Sequence, residues 1–174
     1  MVSESLVMIV LRLIHIICGV FWAGTVMSVA WFLLPAQRAI GQPGAVFMQQ
    51  LMFRQRLRAF VLGAMVLTIL SGLTMYTRLA MVTHGAWASS RTGIVLGIGA
   101  VAGIIAGGIG SGIVGRLGKR MMELGGKIQA SGGPSTEAQK AEMEALQGRI
   151  QGAFRLVAVL LLIAVAAMAS ARYL

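Results

Sequence analysis

The stretch Leu11–Gly24, LRLIHIICGVFWAG, is strongly apolar yet carries an arginine and a histidine three residues apart. It lies inside the first of four apolar runs, expected as spans at about 6–34, 58–82, 93–115 and 152–172. Each is long enough to cross a hydrocarbon core of about 30 Å, which takes ~20 helical residues at 1.5 Å rise. The first run is too long for the apolar core of a signal peptide. It also lacks a small-x-small cleavage site followed by polar sequence, so it reads as a retained helix. The expected fold class is all-α: a polytopic membrane four-helix bundle forming a single integral membrane domain over 1–174.

Composition points the same way. The chain has 174 residues, of which 57% are hydrophobic and only 11% charged. A soluble domain has about a quarter of its residues charged, and this one has too few to cover a water-facing surface. Asp and Asn are absent, which weakens any metal site or aspartate-based catalysis. There is no phosphate-binding glycine loop, no Ser/His/Asp or Cys/His set and no paired carboxylate in a span. The chain therefore does not read as an enzyme. The lone cysteine, Cys18, cannot make an intrachain disulfide and reads as a small packing residue. The 12 methionines do not form a ladder within any span, so packing rather than copper binding is their expected role.

The net charge of +10 does not suggest nucleic acid, because of where the charge lies. Arg38, Arg54, Arg56 and Arg58 follow the first run. Arg116, Lys119, Arg120, Lys127, Lys140, Arg149 and Arg155 stand between the third and fourth. Only Arg78, Arg91 and Arg172 belong to the other side, with Arg12 near it. By the positive-inside rule both termini face outward across a bacterial inner membrane and both long connections are cytoplasmic. Tyr76, Trp87 and Tyr173 then fall near the outer interface and Trp31 near the inner one, as an aromatic belt.

The connections carry their own structure. Pro35, Gly41, Pro43 and Gly44 are expected to break the chain after helix one, and AVFMQQLMFRQRLRAF to form a short interfacial helix. GRLGKRMMELGGKIQA continues helix three. SGGPS makes a turn. TEAQKAEMEALQGRIQ starts a helix with Thr136 and Gln139 at capping-box spacing. Met143, Leu146 and Ile150 then face Leu117, Met121, Leu124 and Ile128. Helices three and four thus extend over about 116–151 as a cytoplasmic helical hairpin.

Helix three carries small residues at every fourth position: Gly99, Gly103, Gly107, Ser111 and Gly115. Gly93–Gly97 and Gly108–Gly112 are further GxxxG pairs. Such spacing lets helix backbones approach closely, within the bundle or against another subunit.

Arg12 and His15 share a face of helix one with Gly19 and Trp22. Arg12 is within reach of the outer headgroups and can snorkel. His15 lies about a turn deeper, where an ionisable side chain usually points into a bundle. Ser71, Thr74 and Tyr76 are its expected hydrogen-bond partners. The alternative is axial ligation of a b-type haem, which needs a second ligand. His84 is the other histidine, and Met75 and Met81 are the thioether candidates.

Leu11, Arg12, His15, Trp22 and Gly24 form an LRxxHxxxxxxWxG-like opening. It resembles the first helix of small bacterial four-helix integral membrane proteins of the copper-resistance-D-like type. TILSGLTMY and AMASARYL are more loosely similar. The resemblance implies a membrane bundle and, by the family's name, a part in copper movement. Similar bundles carry haem or serve as subunits of larger complexes. The leading expectation is a non-catalytic membrane subunit without a cofactor, its partners the lipid bilayer and other membrane subunits or itself. A haem-b electron-transfer protein using His15 comes second and copper transport or handling third.

Overall fold

The computed structural model describes residues 2–132 and 134–174, and among these every element is helical. Helix α1 (Val2–Ser28) runs through a wide π turn (Val29–Leu33) directly into α2 (Leu34–Ile40). Pro35 therefore does not break the chain as expected. A proline lacks its N–H and its ring crowds the carbonyl four residues back. The wide turn placed just before Pro35 absorbs that crowding, so the helix continues. The stop comes at Gly41, whose φ of +74° only glycine adopts cheaply.

Helix α3 (Gln42–Gln49) folds back on α2 and ends in a second π turn, Gln50–Arg54. Gly44 permits this return: a Cβ there would stand 2.6 Å from the Gln37 carbonyl oxygen. Arg56, with φ +55°, redirects the chain into α4 (Leu57–Val82). Helix α5 (Arg91–Gly108) starts at Ser90, whose hydroxyl accepts from the Gly93 N–H at 3.1 Å. It passes through a π turn (Ile109–Val114) into α6 (Gly115–Ala130). Of the SGGPS turn, Gly133 lies outside the described residues, and Gly132 takes φ +64°. Helix α7 (Glu137–Ser170) opens on a complete capping box. Thr136 Oγ1 accepts from Gln139 N–H, and Gln139 Oε1 accepts from Thr136 N–H at 2.9 Å.

Four helical runs are long and apolar enough to cross a membrane: Ser5–Ile40, Leu57–Val82, Arg91–Ala130 and Glu137–Tyr173. They contain the four expected spans. The α1–α4 and α5–α7 pairs pack closely, α1 also touches α7, and α4 and α5 meet more sparsely. The core sits in the half of the bundle away from the termini. There Trp22, Ala23, Val26, Ala30, Ala64, Ala106, Val157, Ala158 and Leu161 cluster. Small side chains dominate it, so the helices come close and dispersion contacts hold them. Beyond the bundle, α6 packs on the first half of α7, burying Leu124 and Leu146.

Candidate functional site: a histidine seated between two helices

Three polar residues of α1 and α4, His15, Thr68 and Ser71, come together at one place. His15 Nδ1 lies 2.8 Å from the Thr68 carbonyl oxygen of α4. A carbonyl only accepts, so Nδ1 carries the proton and donates. Ser71 Oγ stands 3.5 Å from the same nitrogen and itself donates to the Leu67 carbonyl at 2.5 Å. Thr68 Oγ1 donates to the Ala64 carbonyl at 2.7 Å, so both hydroxyls are satisfied within their own helix.

The imidazole rests on Gly72. A Cβ at that position would stand 2.6 Å from His15 Cε1 and 2.9 Å from Nδ1, so any side chain there would displace the ring. One helical turn away, a Cβ at Gly19 would make ordinary van der Waals contact with Thr68 Cγ2, at 3.4 Å. The bare backbone at Gly72 thus leaves room for a side chain of α1 to bond a carbonyl of α4. Nε2 makes no hydrogen bond among the described residues.

Of the three hydroxyls expected around His15, only Ser71 is there. Thr74 donates to the Leu70 carbonyl on the exposed face of α4. Tyr76 donates to the Gly93 carbonyl at 3.2 Å and meets Trp87 edge to face, centroids 5.2 Å apart. It ties α4 to α5 near the terminal end. Thr68 and Gly72 were not anticipated. Their signal was the run of small residues Ser71–Gly72 one turn beyond Thr68, on the face opposite His15.

Arg12 is exposed and has no partner among the described residues. Trp22 is 4% exposed and belongs to the apolar core, not to the His15 contacts. His84 is exposed in the connection between α4 and α5, with φ +48°, and does not meet His15. Met81 is also exposed and Met75 half-buried, and among the described residues neither is bonded to His15. Among the described residues no group of three His, Cys, Asp or Glu could hold a metal ion.

The small residues of helix three do not form one seam. A residue four places on in an α-helix is rotated by about 40°, since each residue turns by about 100°. Gly99 faces α7, where its Cβ position is 3.2 Å from the Ala164 carbonyl oxygen and from Ala167 Cβ. Gly107 faces α4, 3.0 Å from Ile69 Cδ1 and 3.3 Å from Met65 Sδ. Gly103, between them, has nothing within 4 Å. Ser111 is exposed and donates to the Gly107 carbonyl of its own helix. Gly115 is approached only by Arg58 Nη2, at 3.6 Å. On the outward side, Gly108 has no neighbour and Gly112 only Arg116 Nη2, at 3.8 Å.

A cavity of about 320 Å³ opens between α6 and α7, lined by Arg120, Glu123, Lys127, Glu142 and Arg149 around Leu124 and Leu146. It is remote from His15.

The chain matches no protein-family model, no curated protein and no solved structure.

Proposed function

We propose that this chain is a non-catalytic subunit of a bacterial inner-membrane assembly, with its termini on the outer side and the α6–α7 hairpin in the cytoplasm. One observation carries the proposal: the Gly108–Gly112 pair of helix three meets no side chain of another helix. Glycine inside a helix is unfavourable by up to ~1 kcal/mol against alanine. In a membrane that disadvantage is offset where a second helix packs on the bare backbone. Gly99 and Gly107 have such neighbours within the chain. Gly108 and Gly112 do not, which supports a helix from another subunit or a second copy there. The His15 contacts fit the same reading, since the imidazole fastens α1 to α4 and gives a partner a rigid surface.

A second reading rests on His15 Nε2. A ligating histidine characteristically donates its other ring N–H to a carbonyl, as Nδ1 does to Thr68. His15 therefore suits one axial position of a haem. The rest of the set is not assembled: His84 and Met81 are exposed, no bond among the described residues joins the half-buried Met75 to His15, and both described cavities lie away from it. The subunit reading stands ahead for that reason.

One preparation tests both. Extracted in mild detergent, the wild type should migrate as a larger assembly, and Gly108→Leu/Gly112→Leu should reduce it to monomer with helical content unchanged. The same wild-type sample should lack a Soret band. An unaltered monomer in both proteins removes the subunit proposal; a stoichiometric Soret band lost in His15→Ala puts haem in its place.

A further inference from the structure

Four exposed arginines lie at the hairpin end of the bundle, with no counter-ion among the described residues. Arg54 ends the π turn after α3, Arg56 and Arg58 flank the start of α4, and Arg116 is the second residue of α6. Arg58 Nη2 is 3.6 Å from the Cβ position of Gly115, and Arg116 Nη2 is 3.8 Å from that of Gly112. Two guanidinium groups from different helices therefore stand over positions three residues apart on one helix. Arg116 Nε donates to the Gly112 carbonyl at 3.0 Å, which holds its guanidinium along the helix.

Among the described residues no carboxylate pairs with them. The chain has no Asp or Glu between Glu4 and Glu123. The described ion pairs, Lys119–Glu123 and Lys140–Glu137, involve none of the four. At 1.5 Å per residue, Arg58 lies about 36 Å along its helix from Val82, and Arg116 about 38 Å from Arg91. Both distances pass the ~30 Å hydrocarbon core and end in a headgroup layer. In the segment that leads to them, Phe47 is 57% and Phe53, next to Arg54, 45% exposed.

We infer that these arginines, with the exposed Phe47 and Phe53 of the segment preceding them, form a docking surface for the phosphodiester headgroup of an anionic phospholipid. The inference rests on the membrane placement proposed above. Guanidinium groups fork onto phosphate oxygens, and each cation near an anionic surface strengthens binding by about fivefold. The aromatic rings enter the adjoining acyl region. Unlike charges that water alone screens, this cluster discriminates between headgroups of different charge.

Native mass spectrometry of the full-length protein in detergent tests this, titrating phosphatidylglycerol against phosphatidylcholine with the same acyl chains. The wild type should hold phosphatidylglycerol at least about tenfold more tightly. R54Q/R58Q/R116Q should bring the two lipids within about twofold, while R58K/R116K keeps most of the preference. Equal binding of both lipids by the wild type overturns the inference, as does a preference that survives the glutamine variant. Millimolar inorganic phosphate should not displace the lipid; if it does, the cluster is a soluble-anion site and the lipid is not its ligand. If the triple variant is not helical by circular dichroism, exposed Arg54→Gln alone should still weaken phosphatidylglycerol by about fivefold, and no change there also overturns it. A lipid preference held by a detergent monomer supports the inference even where the subunit proposal fails, so the two failures are separate outcomes.

Discussion

At the scale of single residues, the decisive pair is His15 and Gly72. A half-buried imidazole between apolar helices is tolerated when its hydrogen bond is made, and the Thr68 carbonyl accepts it. Gly72→Ala should cost about 1–3 kcal/mol, because the new methyl meets a ring fixed by that bond. His15→Ala should cost ~0.6–1.7 kcal/mol, the range for interhelical hydrogen bonds in membranes. Combined, the two should cost less than their sum, since the alanine at 15 removes the ring that the methyl hits. Denaturation in mixed micelles reads all three, and strict additivity would mean that the imidazole does not rest on Gly72. That His15 turns inward was legible in its depth within an apolar run. That it bonds a backbone carbonyl was not: sequence patterns advertise side-chain partners, whereas every residue carries a carbonyl.

At the scale of elements, the glycines of helix three divide by direction. Gly107→Leu should destabilise the chain by about 1–3 kcal/mol, because it drives into Ile69 and Met65. Gly103→Ala should be neutral or stabilising by up to ~1 kcal/mol, because the space is open and alanine is the better helix former. Thermal unfolding followed by circular dichroism separates them; equal losses would mean that both face a packed neighbour. The four-residue period was visible in the sequence. Its division between α7 and α4 follows from the 40° drift per step and from where those helices stand. The π turn before Pro35 was not visible either. The proline marks a disturbance, but whether a helix breaks or widens depends on the packing beyond it. The wide turn keeps α2 in line, and α3 folds back on it.

At the scale of the whole molecule, the charge distribution sets the proposed orientation. In a Cys18→Ala background, a cysteine placed at Ser131 should react with a membrane-impermeant maleimide only after intact cells are permeabilised. A cysteine added after Leu174 should react before. The reverse pattern would invert the topology without disturbing the bundle. Eleven basic residues in the two long connections against three on the other side make the expected direction strong.

Apolar length, scarcity of charge and the placement of arginine determine by themselves four helices suited to a bilayer. These are one-dimensional properties, and hydrocarbon admits few other backbone structures. The capping box at Thr136 and Gln139 belongs with them, because its two bonds close within four residues. Only the tertiary structure decided that Gly72 receives His15, that Gly99 and Gly107 serve different neighbours, and that Arg58 and Arg116 converge. Each depends on the rotation and spacing of one helix against another. In a membrane those are chosen by close packing of small residues, not by the hydrophobicity that the sequence displays so openly.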